Sequence, residues 1–134
     1  MIKRILLAFL GSAAVCTIFF YLHGLVLSAY EAGLPFSLLK SYTFHFVFFV
    51  IAVLIIEVVF LLNPAQLGFS YLVVVFCKLG AVVVVFKEAL FDQESLAMAA
   101  KLSLIVPLLL FIVPEAIYCA KMLKKVDENV TESK

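Results

Sequence analysis

The chain has 134 residues, of which 66% are hydrophobic and 14% are charged, with a mean hydropathy of +1.24 and a formal net charge of +1. A soluble domain is about half apolar and about a quarter charged, so this composition excludes an ordinary water-soluble fold. The near-neutral balance also excludes a basic surface for nucleic acid, which is not expected as a partner.

Four apolar segments follow one another along the chain, and each is long enough to cross a bilayer. They cover approximately residues 5–30, 41–62, 67–86 and 103–123, and a polar tail follows at 124–134. Membrane-barrel strands are only ~10 residues long and alternate in polarity, so helices are expected here. The sequence therefore predicts an all-α integral membrane protein. It would be a four-transmembrane-helix bundle with short loops, forming a single domain over residues 1–134 in the lipid bilayer.

The first segment follows Lys3 and Arg4, as the apolar part of a signal peptide would. Its apolar character continues as far as Leu27, well beyond the ~7–15 residues of a typical signal-peptide core. We therefore expect an uncleaved first helix.

Basic residues predict the orientation. The side with both termini carries Lys3, Arg4, Lys121, Lys124 and Lys125, whereas the lysines of the other side are offset by acidic residues (Lys40, Lys87 and Lys101 against Glu31, Glu88, Asp92 and Glu94). By the positive-inside rule, both termini are expected in the cytoplasm, in a multi-pass protein of the bacterial inner membrane. The cluster at 121–125 is interpreted as a headgroup anchor that sets topology, with a specific lipid site as the alternative.

Two connections carry helix-breaking signals. Asn63-Pro64 should end the second helix sharply, so the second and third helices are expected to form a tight antiparallel hairpin. Asp92 is a predicted N-cap for a helical lead-in to the fourth span. Pro107 and Pro114 should kink that span or loosen its backbone bonding.

Three charged residues lie inside predicted spans. Lys78 interrupts the apolar run at 67–86, where a lysine costs roughly 3 kcal/mol to insert. Counted from the ends of the spans, Lys78 is ~16 Å deep, Glu115 ~12 Å and Glu57 ~7–8 Å. This count predicts a charge cluster of Lys78 with Glu115, with Glu57 at the limit of reach.

Two interpretations of this charge cluster remain open. The cluster could be a satisfied ion pair that fixes how the helices assemble, although such pairs often add little net stability. It could instead be a proton or ion relay, or a contact to the buried charge of a partner.

His23 and His45 lie toward the side opposite the termini, at depths of ~10 Å and ~6 Å. Histidines on neighbouring helices could hold a haem or a transition metal. Nothing else in the sequence supports such a centre, so hydrogen-bonded or interfacial roles are expected and no cofactor is predicted. The sequence also contains no nucleophile–base constellation or phosphate loop, and an enzyme is not expected.

The third span begins with Gly68-Phe69 after the Asn63-Pro64 turn and continues to Lys78. In this feature and in overall architecture, the chain resembles small four-helix bacterial membrane proteins encoded beside ATP synthase subunits, including the I-type accessory protein. The resemblance implies a non-enzymatic accessory that helps to assemble the rotor ring or another part of the synthase. It also implies that Lys78 meets a buried carboxylate of a client helix.

The residues alone allow a second class of function, a subunit of an oligomeric ion or small-solute transporter or channel. In that case Lys78, Glu115 and Glu57 would line the path. Four helices are few for a pathway, so several copies would be needed. In both classes the partners are other membrane protein subunits or further copies of the chain.

Overall fold

The computed structural model describes residues 1–31, 33–91 and 98–132, and the helix cap predicted at Asp92 lies outside these residues. The described elements are α1 (Ile2–Ala29), α2 (Leu38–Leu62), a 3-10 turn (Pro64–Gln66), α3 (Leu67–Val85), the short α4 (Lys87–Phe91) and α5 (Met98–Glu132). Four helices in the described part of the chain are long and apolar enough to cross a membrane. The predicted all-α bundle of four membrane-crossing helices is confirmed.

α1 and α2 each begin three residues before the predicted spans, and α5 is longer than its predicted span at both ends. α2 begins at Leu38 rather than Ser41, because Ser37 caps it and accepts a hydrogen bond from the Lys40 amide at 3.4 Å. His45 therefore lies about 10 Å into the helix, deeper than the predicted ~6 Å. α5 runs without a break through both internal prolines and continues to Glu132, well into the predicted polar tail.

The turn between α2 and α3 has the tight form that the sequence predicts. The amide of Asn63 donates to the Val59 carbonyl at 2.8 Å and closes α2. Pro64 then occupies the first position of the 3-10 turn, where its missing amide hydrogen is not needed. Leu67 follows and is fully buried, which fixes the start of α3 against α2.

α2 and α5 form the centre of the bundle, and α1 and α3 flank them on opposite sides. α2 and α5 run parallel to each other. They begin at the end that holds the connection between α1 and α2 (the loop end) and finish at the end that holds the start of α1 and the α2–α3 turn (the terminal end). α1 and α3 run the opposite way. Phe49, Val53 and Phe111 occupy the centre of the apolar core, and a second cluster around Ile56 and Met122 lies nearer the terminal end.

α1 is the least enclosed of the four long helices. In its apolar 18-residue stretch 6% of the residues are buried, against 33% in that of α2. In lipid, apolar burial provides little force for helix association, because the acyl chains are as apolar as the side chains. Specific polar contacts between the helices therefore matter more for assembly than they would in water.

Candidate functional site

The interior of the bundle contains polar side chains in three layers that follow one another along α5. The loop-end layer consists of Ser41, Tyr42, His23 and Ser103; the middle layer of His45, Lys78 and Glu115; and the terminal layer of Arg4, Glu57 and Tyr118. All four long helices contribute to this column.

The middle layer holds an ion pair that is completely enclosed. Lys78 Nζ on α3 lies 2.5 Å from Glu115 Oε1 on α5, and both side chains are 0% exposed. Lys78 Nζ also lies 5.9 Å from the centroid of the Phe111 ring, close enough for a cation–π interaction. Phe111 and Glu115 share a face of α5 because they are four residues apart. The structure thus brings together the two residues that the depth count pairs.

The resemblance implies that Lys78 meets a carboxylate of a client helix, and that contact stays a prediction. In this structure the ammonium group is enclosed by the chain's own side chains and is bound to Glu115. Removing one member of such a pair would leave an uncompensated charge, which typically costs about 3–5 kcal/mol. The second oxygen of the carboxylate, Glu115 Oε2, is buried and has no hydrogen-bond partner within the described part of the chain.

Glu57 does not join Lys78 but belongs to the terminal layer. The guanidinium of Arg4 donates from Nε to Glu57 Oε1 at 2.9 Å and from Nη2 to Oε2 at 2.8 Å. The Tyr118 hydroxyl donates to Oε1 at 2.5 Å. The guanidinium fork matches both oxygens of the carboxylate, and this geometry favours Arg4 over the single ammonium of a lysine.

Sequence reasoning assigned Arg4 to topology and missed this role. Its side chain is 35% exposed, whereas that of Glu57 is 1% exposed, so the arginine reaches inward from the edge of the bundle. A signal for the contact exists in the sequence. Arg4 lies near the start of the first span and Glu57 near the end of the second, which places both at one end of two antiparallel helices.

The loop-end layer links three helices through His23. Its Nδ1 lies 3.1 Å from the Tyr42 hydroxyl of α2, and its Nε2 lies 2.9 Å from Ser103 Oγ of α5. The hydroxyl of Ser41 donates to the Ser103 carbonyl at 3.4 Å. Both ring nitrogens of His23 are therefore engaged in hydrogen bonds between helices, as the sequence-based alternative to a metal site expects.

His45 differs from the other residues of the column in the environment of its polar atoms. It is fully buried, and neither ring nitrogen has a hydrogen-bond partner among the residues that the structure describes. Its ring stacks on Phe111, with centroids 6.4 Å apart and an interplanar angle of 17°. Buried polar atoms are nearly always paired, so an unpaired imidazole beside the ion pair marks a candidate functional position.

The two histidines do not form a metal centre together. His23 is bonded in the loop-end layer, while His45 lies in the middle layer on Phe111. Within residues 1–31, 33–91 and 98–132, no group of three or more His, Cys, Asp or Glu side chains could hold a metal ion.

Residues 1–126 match the model of a family described as a family of unknown function, DUF6168. Comparison with curated proteins and with solved structures gave no match. The matched stretch includes all three polar layers and all four long helices as far as Val126. The chain therefore belongs to the family of unknown function DUF6168.

Proposed function

We propose that this protein is a non-enzymatic membrane accessory that assists the assembly of a larger membrane complex, and that ATP synthase is its client. The observation that carries the proposal is the closed Lys78–Glu115 pair, in which each charge is satisfied by the other at 0% exposure. Such a pair holds α3 against α5 in one register. Two large cavities, of about 600 and 510 Å³, open between α1 and α5, and neither is lined by Lys78 or His45.

The choice of client rests on the sequence resemblance to proteins encoded beside ATP synthase subunits, which is strongest in the third span. The corresponding face of α3 is apolar and points out of the bundle. Phe69, Phe76 and Val84 are 66%, 72% and 69% exposed, respectively. With Lys78 closed inside, an apolar face of this kind offers a client helix packing contacts rather than a charge.

Co-purification in mild detergent tests the proposal. A tagged chain should retain ATP synthase subunits, and deletion of the gene should lower the amount of assembled rotor ring. The variant Phe69→Ala/Phe76→Ala on α3 should lose the client. The matched control Leu22→Ala/Leu25→Ala on α1, at positions 53% and 66% exposed, should keep it. A normal level of synthase in the deletion strain would contradict the proposal.

A second candidate function, a subunit of an oligomeric proton or ion transporter, is favoured by one observation. His45 and Glu115 Oε2 are buried without partners next to a charged group, as groups that exchange a proton would be. Flux in proteoliposomes that is lost in Lys78→Met and kept in Lys40→Met, at an exposed lysine of the loop end, would favour transport. The accessory function predicts no flux from the unmodified chain.

A further inference from the structure

The structure assigns to the terminal end of the bundle, between α1 and α5, a binding site for one anionic phospholipid. The site has an apolar groove for an acyl chain and a basic mouth for the phosphate. It does not depend on the client proposed above, and it shares Arg4 and Tyr118 with the terminal layer of the polar column. The groove and the mouth are the cavities of about 600 and 510 Å³, respectively.

The groove exists because small residues of α1 face α5 across open space. Ala8, Gly11 and Ser12 line it on one side, and Pro114 and Ile117 on the other. A Cβ atom added at Gly11 would have no neighbouring atom within 4 Å. The Ser12 hydroxyl donates to the Phe9 carbonyl at 2.9 Å, so its hydrogen is not available to a ligand in the groove. An apolar ligand suits these walls.

The length of the groove matches one leaflet. Its lining on α5 runs from Leu109 to Lys121, which corresponds to about 18 Å of helix. Half of the hydrocarbon core is about 15 Å thick. An acyl chain that begins at the membrane surface would therefore fill the groove and end near the midplane.

The two cavities adjoin each other, because Leu7, Ala8, Tyr118 and Lys121 line both of them. A lipid has this same arrangement, with a charged group at the surface and an apolar chain directly below it. A free anion would use the mouth alone and leave the groove empty.

The charges of the mouth favour an anion. Its basic residues are Arg4, Lys121, Lys124 and Lys125, and its acidic residue is Glu128. Arg4 is already bound to Glu57 at 2.8 Å, and Lys124 lies 3.8 Å from Glu128.

Lys121 and Lys125 are left with unbalanced charge. They are four residues apart on one face of α5, where like charges repel. No carboxylate in the described part of the chain forms an ion pair with either of them. A phosphate between the two lysines would remove the repulsion.

Native mass spectrometry of the full chain, released from vesicles of phosphatidylcholine with a minor fraction of phosphatidylglycerol, tests the site. One phosphatidylglycerol should remain bound in preference to phosphatidylcholine. Lys121→Gln/Lys125→Gln should weaken its retention roughly thirtyfold, from the usual contribution of a lysine near the membrane surface. The control Lys87→Gln/Lys101→Gln, with the same change in charge at the loop end, should leave retention unchanged.

A second variant tests the groove. Gly11→Leu should fill the groove and weaken retention roughly tenfold through lost van der Waals contacts, without lowering the melting temperature of the delipidated protein. Gly80→Leu on α3, where an added Cβ atom also has no neighbouring atom within 4 Å, should have no effect on retention.

Several outcomes would overturn the assignment. These are equal retention of the two lipids, retention unchanged by both the lysine and the Gly11 variants, or a polypeptide rather than a lipid lost in Gly11→Leu. Inorganic phosphate that binds lipid-free protein as tightly as phosphatidylglycerol does, with the same dependence on the lysines, would also overturn it.

Discussion

Lys78 and Glu115 are each costly to bury alone, and each becomes tolerable only because the other lies 2.5 Å away. A buried ion pair is a weak source of net stability, because the loss of hydration offsets much of the attraction. Its value lies in specificity, since a shift of α3 along α5 would separate the charges. The pair therefore selects one register of α3 against α5.

We expect Lys78→Met or Glu115→Met alone to lower the free energy of unfolding by about 3–5 kcal/mol, because either change leaves one charge buried without a partner. The double variant should recover most of that loss, and the exchanged pair Lys78→Glu/Glu115→Lys should recover part of it. Denaturant titration of the purified protein in mixed micelles measures these differences. Losses that simply add in the double variant would show that the two residues do not interact.

Tyr118→Phe removes one of the donors to Glu57 and leaves the two from Arg4 in place. Hydrogen bonds between membrane helices contribute about 0.6 kcal/mol on average and at most about 1.7 kcal/mol, so the cost should fall in this range. Arg4→Gln should cost more, because Glu57 would keep a buried charge with weaker donors. The same titration compares them, and a larger effect for Tyr118→Phe would contradict the described geometry.

Among the helices, α1 depends most on contacts at its two ends. The Arg4–Glu57 pair fixes its start, and the bonds of His23 to Tyr42 and Ser103 fix it near its end. Between them the groove separates α1 from α5, and few side chains of α1 are enclosed. α1 should therefore be the first helix to detach when a polar contact is removed.

Cysteine labelling in detergent micelles can follow that detachment, because the chain provides its own reference. Cys16 on α1 is partly buried, whereas Cys77 on α3 is exposed. Arg4→Leu should raise the labelling rate of Cys16 severalfold and leave the rate of Cys77 unchanged, since only α1 loses a tether. Equal acceleration at both thiols would indicate general loosening instead.

The sequence predicted the Lys78–Glu115 pair of the middle layer but not the Arg4–Glu57 pair of the terminal layer, for a physical reason. Depth along a helix follows from residue counting, and depth alone was enough to pair Lys78 with Glu115. The direction in which a side chain points does not follow, because helices that are apolar all round have no polar face to mark the interior. Counting places Arg4 and Glu57 at the same end of the bundle, but the structure was required to show that Arg4 points toward Glu57 and that His45 is unpaired among the described residues.

For the whole molecule, the sequence predicts which segments form helices but not which faces of those helices pack together. Four long apolar runs predict four helices, and the Asn63-Pro64 turn predicts the α2–α3 hairpin. The central position of α2 and α5, with α1 and α3 on opposite sides, depends on which faces pack together. Uniformly apolar surfaces do not specify those faces.

The proposed orientation is a prediction about the whole molecule as well. A cytoplasmic reporter fused to the C-terminus should be active, because Lys121, Lys124 and Lys125 follow the last span and favour the cytoplasmic side. A fusion with the same reporter in the connection at 31–37 should be inactive. Activity of a periplasmic reporter at the C-terminus would reverse the orientation.

In the proposed function, the buried pair orders the helices of an assembly protein and carries no ions. The most direct measurement is the amount of rotor ring assembled in a deletion strain that expresses Lys78→Met/Glu115→Met, compared with strains that express the unmodified chain or Lys78→Met alone. We expect near-normal assembly with the double variant, because an uncharged contact can replace the pair, and reduced assembly with the single one. Loss of function in the double variant, with the protein folded and present at its normal level, would show that the charges themselves are needed.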